Sequence, residues 1–167
     1  IEKKIGNILN FSAGVRLENY WINDSIKDSK PIFRLGSSLK LGQETYLRAS
    51  VGQGYRFPTI TERYIKTTVG SFGVFDNPDL IPETSWNSEI GIKQGFKFSN
   101  FYGYLDVALF YQEYNNTIEY LFGFWDPSFA LAGFKFLNTG KSEVKGIDCS
   151  WAGKLNLNPK NKIQFIM

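Results

Sequence analysis

The stretch LNFSAGVRL, residues 9–17, alternates residue by residue between apolar side chains and polar, small or charged ones. A period of two places successive side chains on opposite faces of a β-strand, whereas an amphipathic helix requires a period near 3.6. The alternation returns along the chain and predicts strands near residues 8–20, 32–41, 45–56, 86–97, 102–114 and 144–155. Residues 1–4 and 162–167 resemble partial strands, and no stretch competes as an amphipathic helix. We therefore predict an all-β protein.

The lengths of these strands and of their connections indicate which all-β architecture is present. Complete strands of roughly 10–13 residues are about twice the usual soluble length, and a tilted strand needs about 9–11 residues to cross a bilayer. Short connections at 42–44, 98–100 and 156–161 alternate with long ones at 21–31, 57–85 and 115–143. An up-and-down barrel places all long connections on one rim, as outer-membrane barrels do. The pattern favours an antiparallel transmembrane β-barrel.

Composition excludes several function classes. The 167 residues include no histidine and one cysteine, which removes the commonest general base, the commonest transition-metal ligand and any intrachain disulfide. The net charge of +3 is spread along the chain without a basic block, so nucleic acid is not an expected partner. No apolar run reaches the roughly 18 residues of a membrane helix. No motif places two carboxylates around a shared substrate, so we expect neither an enzyme nor a metal site.

Aromatic residues make up 17% of the chain, and several fall near predicted strand ends, where the interfacial girdle of a membrane barrel would lie. These residues are Tyr20, Trp21, Tyr46, Tyr55, Trp86 and Tyr114. Alternation alone does not separate a lipid-facing surface from a soluble core, because a β-sandwich produces the same pattern. Two alternatives therefore stay open. One is a passive porin-like or adhesin-like barrel, and the other is a soluble carbohydrate-binding sandwich whose exposed aromatic residues stack on sugars.

Three blocks resemble motifs of the TonB-dependent outer-membrane receptors. Residues 52–64, GQGYRFPTITERY, are similar to the family's strand-to-loop motif. Residues 77–91, which begin NPDLIPETS, are similar to the next block of the family. Residues 138–148, NTGKSEVKGID, resemble a later strand, with Asp148 in the acidic position. The order and approximate spacing of the blocks also match, and residues 67–72 are most similar to receptors of Bacteroidetes-type bacteria.

The resemblance implies a 22-stranded barrel in the Gram-negative outer membrane, with an N-terminal plug in its lumen. Residues 1–167 would be part of the barrel domain, an open arc of about six complete strands and two partial ones. The implied function is active uptake of a scarce ligand such as a ferric siderophore. The implied partners are outer-membrane lipid, the receptor's own plug domain, an extracellular small molecule and the TonB–ExbB–ExbD complex, which acts through the plug. No cofactor is expected to reside in this chain.

The residues of the three motifs are expected to be structural. They are Arg56, Pro58, Glu62, Asn77, Pro78, Leu80, Pro82, Glu83, Asn138, Gly140, Gly146 and Asp148. Pro58 lacks an N–H and marks where strand pairing stops. Arg56 shares the lumen-facing parity of Arg48, and we expect it to pair with a lumen or loop carboxylate such as Glu62. We expect Glu83 to point into the polar lumen.

The long connections carry the ligand candidates, because aromatic and basic side chains on an outward rim suit large anionic or aromatic chelates. The candidates are Arg63, Tyr64, Lys66, Phe72, Phe75, Tyr120, Phe122 and Trp125, with Glu119, Phe124 and Phe129 beside them. The alternative is that these side chains pack loop against loop. An imidazole ligand for haem iron is excluded in this segment, because it has no histidine. Cys149 is expected to face lipid, in register with Ile147 and Trp151.

Overall fold

A computed structural model describes residues 1–22, 26–126, 131–158 and 161–166 of the chain. Among these residues the chain forms β1 (Glu2–Ile5), β2 (Leu9–Ile22), β3 (Ile26–Lys40), β4 (Thr45–Arg56), α1 (Ile60–Tyr64), β5 (Thr67–Val69), β6 (Phe72–Phe75), β7 (Glu83–Phe98), β8 (Phe101–Asn115), β9 (Ile118–Gly123), β10 (Gly133–Asn138), β11 (Lys141–Asn158) and β12 (Asn161–Ile166). Phe129, Met167 and the middle of the predicted connection at 156–161 lie outside the described residues. No helix in the described ranges is long and apolar enough to cross a membrane.

The larger of the two sheets is an open antiparallel arc. Its strand order is β1-β2-β3-β4-β7-β8-β11-β12, so that each strand pairs with the next wall strand along the chain. Pairing is continuous: β8 and β11 stay in register from Phe101↔Leu155 to Asn115↔Lys141. The prediction of an all-β, up-and-down antiparallel wall is confirmed, and each of the six predicted complete strands is present.

One face of the arc is apolar and exposed. Ile90 of β7, Leu109 of β8 and Ile147 of β11 lie side by side in register and are 50%, 52% and 70% exposed. Rows that are apolar except for Gln94 of β7 continue down to Phe98 and Phe101 at the short turn. At about 3.4 Å per residue and a tilt of about 40°, these rows cover about 21 Å, close to the roughly 25 Å apolar band of an outer-membrane barrel. Such a continuous apolar surface is the one that lipid covers.

The opposite face is polar and carries ion pairs. Arg48 of β4 donates to Glu89 of β7 at 3.0 Å and reaches across that strand to Asp106 of β8. The guanidinium passes over Gly91, where a Cβ would lie 2.9 Å from Arg48 Cζ and 3.1 Å from the Ala108 Cβ. Small residues under the guanidinium therefore allow the pairing. This division into an apolar outer face and a polar inner face is that of a barrel with a polar lumen.

The predicted aromatic girdle is correct only in part. Trp21 and Trp86 lie on the outward face. The prediction is wrong for three residues that have the lumen-facing parity: Tyr20, Tyr46 and Tyr114. Tyr55 has the outward parity, but its hydroxyl donates to Asp28 of β3. A position near a strand end does not determine whether a side chain points outward or into the lumen. Lumen-facing aromatic residues at the rim can instead contact the connections between strands. Tyr20, for example, stacks on Phe57, the first residue after β4, at 5.1 Å between ring centroids.

The predicted long connection at 21–31 is wrong. β2 runs to Ile22 and β3 begins at Ile26, so most of this segment is paired strand. The alternation fades here because the outward positions become polar beyond the apolar band. Pro31 lies within β3 and has no N–H to donate. The pairing of β3 with β4 ends at Arg34↔Gly52, so the proline breaks no hydrogen bond on the β4 side.

The connections at 57–85 and 115–143 fold into a second sheet. They supply α1 and four strands in the order β5-β6-β10-β9. β6 from the first connection and β10 from the second pair in parallel, with Phe134 opposite Val74. We call this four-stranded unit the loop sheet. The sequence pattern assigned neither these four strands nor the short helix α1.

Candidate ligand-binding site: the loop sheet and its joint to the wall

Helix α1 begins with a complete capping box. The Glu62 N–H donates to the Thr59 hydroxyl at 3.2 Å, and the Thr59 N–H donates to the Glu62 carboxylate at 2.7 Å. The Thr-x-x-Glu signature is visible in residues 59–62 and would have predicted this helix start. Pro58 lies buried immediately before the cap, two residues after the last pair of β4 with β7.

Arg56 connects this helix to the starts of β7 and β9. Its guanidinium donates to both carboxylate oxygens of Glu62, at 2.9 and 3.0 Å, and to Glu83, the first residue of β7. The other Glu83 oxygen accepts the backbone N–H of Ile118 at 2.6 Å, where β9 begins. We call Arg56, Glu62, Glu83 and Ile118 the joint. Through it, one arginine attaches both long connections to the top of the barrel wall.

The carboxylate of Glu62 is held in its ionised form. Burial by itself would raise the pKa of Glu62, but the hydrogen bonds from Thr59 and Arg56 outweigh this effect, and the pKa lies below its ordinary value. Glu62 is therefore charged at neutral pH and keeps the contact with Arg56.

Two asparagines of the motifs join the two long connections to each other. Asn138 Nδ2 donates to the carbonyls of Ile81 and Asn116, at 3.0 and 2.7 Å, and its Oδ1 accepts the Ile81 N–H at 3.0 Å. Asn77 Nδ2 donates to the carbonyl of Phe136 at 2.8 Å. Asn138 uses both donors and its acceptor at once, which an apolar or a charged side chain of the same size does not provide.

A small core lies beneath these contacts. Phe57, Val74 and Leu80 are all buried. Arg63 is buried with them and its guanidinium donates to the carbonyl of Pro78. Its Cζ lies 5.7 Å from the centroid of the Phe57 ring. The sequence placed Arg63 among the ligand candidates, and the structure instead places it inside the core, where its guanidinium satisfies a buried carbonyl.

The exposed aromatic residues of the loop sheet share one face. Tyr120 and Phe122 of β9 lie opposite Phe136 and Phe134 of β10. The ring centroid of Tyr120 lies 4.5 Å from that of Phe136 and 4.9 Å from that of Phe134. Phe122 makes edge contacts with Phe134 at 5.1 Å and with Phe72 of β6 at 5.5 Å. We call these five residues the aromatic strip, of which Phe72, Tyr120 and Phe122 are about half exposed.

The strip carries no charge on its own face. Glu119 of β9 and Lys135 of β10 have the opposite parity in the described strands. Trp125 also lies on the opposite face, over Gly123, and its Nε1 donates to the carbonyl of Gly133 at 3.1 Å. The loop sheet thus presents a flat uncharged surface on one side and a partly charged one on the other.

The remaining predicted residues lie apart from the strip. Phe75 packs on the same side as Trp125. Tyr64, the last residue of α1, and Lys66, just after the helix, are exposed. Outside the joint, the other motif residues are Pro82 before β7, Gly140 between β10 and β11, and Gly146 and Asp148 on the lumen side of β11. Sequence reasoning missed Phe134 and Phe136, although their alternation within FKF, residues 134–136, is a strand signal.

The chemistry available at this site is binding. The strip offers stacking and edge contacts, and no group of three or more His, Cys, Asp or Glu in the part of the chain that the structure describes could hold a metal ion. Cys149 is exposed on the outward face, where the sequence placed it.

Comparison with known proteins identifies the fold and the family. The family model described as TonB dependent receptor-like, beta-barrel, matches residues 3–162. The vitamin B12 transporter BtuB of Vibrio vulnificus is 25% identical over 142 residues, which cover 85% of this chain and 20% of that protein. The chain therefore spans about a fifth of the length of this curated relative.

Solved structures of receptors share the fold. The siderophore receptor PirA of Pseudomonas aeruginosa superposes with a TM-score of 0.69 at 18% identity, over 98% of this chain and 31% of that one. The hemophore receptor HasR of Serratia marcescens, solved with its hemophore and heme, superposes with a TM-score of 0.66 at 16% identity. The match covers 95% of this chain and 30% of that one. These relatives are transport receptors rather than enzymes. The chain belongs to the TonB-dependent receptor-like β-barrel family, whose members lie in the outer membrane of Gram-negative bacteria.

Proposed function

We propose that this chain forms part of the wall and of the ligand-capturing rim of an active transporter for a scarce ligand such as a ferric siderophore. The observation that carries this proposal is the aromatic strip, an exposed run of contacting rings on the loop side of a membrane-spanning wall. A siderophore receptor, a hemophore receptor and a vitamin B12 transporter are among the relatives, which supports a large cargo.

The energy for uptake would come from outside this chain. We propose that a plug domain closes the lumen against the polar face and that the TonB–ExbB–ExbD complex acts through that plug. In this scheme the chain holds no resident cofactor, and any metal arrives as part of the cargo. The Bacteroidetes-type origin rests only on residues 67–72 and stays a prediction.

The strip suits a cargo that presents a planar group. Each aromatic contact beyond simple burial is worth about 0.5–1.5 kcal/mol. A ligand that covers Tyr120 also touches the neighbouring rings, so the loss of this single side chain should remove more than one contact. An affinity loss of about ten-fold corresponds to about 1.4 kcal/mol and is the smallest effect expected.

The test is ligand binding by the full-length receptor that contains this segment. Ferric catecholate and ferric hydroxamate chelates, haem and cobalamin serve as probes, each measured by equilibrium dialysis. We expect at least one probe to bind and its affinity to fall about ten-fold or more in both Tyr120→Ala and Phe122→Ala. Phe98→Ala is the matched control, because Phe98 is an even more exposed aromatic residue at the opposite end of the wall.

Two results would contradict the proposal. One is a bound cargo whose affinity is the same in both strip variants as in the unmodified receptor. The other is a receptor that folds normally and binds none of the four probes, which would contradict the proposed cargo class.

A further inference from the structure

A hollow of about 370 Å³ lies on the lumen face of the wall, close to the short turn between β7 and β8. Tyr102 and Tyr104 of β8, Lys154 of β11 and Gln164 of β12 line it from the lumen side. Lys97 of β7 stands opposite Tyr102, and Tyr102 stands opposite Lys154, so one tyrosine separates two lysines in a row. We call these five residues the turn-side cluster. Since short turns of outer-membrane barrels face the periplasm, the cluster lies where the lumen opens on that side.

The wall itself does not use the polar groups of the turn-side cluster. Within the described ranges neither lysine forms an ion pair. The hydroxyls of Tyr102 and Tyr104 and the amide of Gln164 have no hydrogen-bond partner among the same residues. By contrast, Arg48 and Arg56 on the same face are each held by two carboxylates.

The charge at this end of the lumen is positive. Beyond the row of Asp106, the described lumen-facing residues of β7, β8 and β11 include Lys97 and Lys154 and no carboxylate. Asp106 itself is already paired, and Glu44 lies beyond Gly95, on the side away from the hollow. A lysine ammonium is a strongly hydrated charge on a flexible stem, whereas arginine suits fixed pairing. The cluster is therefore suited to brief contact with an anion.

We propose that the turn-side cluster is an anion-binding site, which holds a negatively charged cargo briefly before it leaves the lumen for the periplasm. Ammonium groups and phenol hydroxyls donate to carboxylate or catecholate oxygens, and the tyrosine rings stack on aromatic groups. A hollow of about 370 Å³ lies within the range of small-molecule sites, about 300–1,000 Å³. This role presupposes the proposed uptake function and narrows the cargo to anionic chelates.

Uptake into cells that produce the full-length receptor is the first readout. The probes are a trianionic ferric catecholate and a neutral ferric hydroxamate, both labelled with radioactive iron. In the double variant Lys97→Gln with Lys154→Gln, uptake of the anionic probe should slow about five-fold, as expected for two partly exposed charge contacts. Its binding to energy-depleted cells, which reports the rim, should be unchanged, and so should uptake of the neutral probe. Lys97→Arg with Lys154→Arg should retain most of the rate, because both charges are kept.

Lys145→Gln is the matched control, because Lys145 lies in the same strand as Lys154 but on the outward face. It should leave uptake of both probes unchanged. A second readout needs no cargo. Purified receptor carrying Tyr102→Cys and Cys149→Ser is reacted with an anionic sulfonate thiol reagent and with a cationic trimethylammonium one. The ratio of the anionic to the cationic rate should fall about five-fold when both lysines of the cluster are replaced by glutamine.

The possible results separate this inference from the proposed function. It is overturned if the double glutamine variant takes up the anionic probe at the unmodified rate, or if uptake of the neutral probe falls equally, which would mean that the lysines hold the plug. It is also overturned if the rim binds only the neutral probe, or if neither reagent labels position 102. If no probe binds the rim, the proposed function fails, and the ratio of labelling rates alone decides whether the cluster attracts anions. The heat-dependent gel mobility of each variant shows whether a loss reflects misfolding.

Discussion

Replacing Gly133 by alanine should separate the two halves of the loop sheet. A Cβ at this position would lie 2.0 Å from the carbonyl oxygen of Gly73 and 2.6 Å from its carbonyl carbon. These are backbone atoms of the paired strand β6, so no side-chain rotation relieves the contact. The pairing of β6 with β10, which includes Phe134↔Val74 and Lys135↔Phe75, must open instead.

The expected cost follows from the bonds that this opening breaks. About three backbone hydrogen bonds, each worth about 0.5–1.5 kcal/mol net, are lost together with the edge contact of Phe72 with Phe122. The free energy of local opening should therefore fall by about 2–5 kcal/mol. Since about 1.4 kcal/mol is a factor of ten, amide protection in β6 should fall by at least about 30-fold.

Hydrogen exchange measured by mass spectrometry on the full-length receptor in detergent is the assay. Peptides from β7 and β8 should exchange at the unmodified rate, because their pairing does not involve the loop sheet. Gly14→Ala in β2 is the control, since a Cβ there meets no atom within 4 Å. Unchanged protection of β6 in Gly133→Ala would refute the reasoning, as would an equal loss in the Gly14 variant.

Three further predictions concern the joint and the lumen wall. Glu83→Gln weakens the charged hydrogen bond to the Ile118 N–H, so the amide hydrogens of β9 should exchange about ten-fold faster while those of β8 are unchanged. Exchange of β9 at the same rate in the variant and the unmodified receptor would contradict this. The lowered pKa of Glu62 stabilises α1 above the unfolded value of 4.5, and this stability is lost as the pH falls through the folded pKa. Protection of the α1 amides from hydrogen exchange should therefore fall only in acid, and Glu62→Gln should remove this pH dependence. Gly91→Ala displaces Arg48 and should lower barrel stability in urea by about 1 kcal/mol, whereas a neutral effect would mean that the ion pairs contribute nothing.

The barrel wall was predictable from the sequence because its physical signal is local. Alternation assigned β2, β4, β7, β8 and β11 to within a few residues, since each has one face in lipid and one in a polar lumen. The signal failed in the upper part of β3, where both faces are polar. It also failed to assign the face of individual aromatic residues such as Tyr20, which depends on parity rather than on distance from a strand end.

The site was predictable only in part, because it depends on contacts between distant segments. The motifs supplied Arg56, Glu62 and Glu83, but their meeting with the N–H of Ile118 requires the fold. Parallel pairing of β6 with β10 brings together residues about sixty positions apart, and no periodicity reports such a contact. Arg63 resembles a surface cation in the sequence, and only its burial against a carbonyl reveals its structural role.

In a barrel wall, alternate residues of this chain must face lipid on the outside and a polar lumen on the inside. A scan of β11 tests this arrangement most directly. Spin labels are introduced singly at residues 147–151 of the full-length receptor in lipid vesicles, with the native Cys149 replaced by serine wherever it is not the labelled site. Collision rates with oxygen, which concentrates in lipid, and with a water-soluble nickel complex are then compared.

We predict an alternating result. Labels at Ile147, Cys149 and Trp151 should collide mainly with oxygen, and labels at Asp148 and Ser150 should not. A uniform profile along the strand, or an alternation with the opposite phase, would contradict the assignment of this chain as a lipid-facing barrel wall.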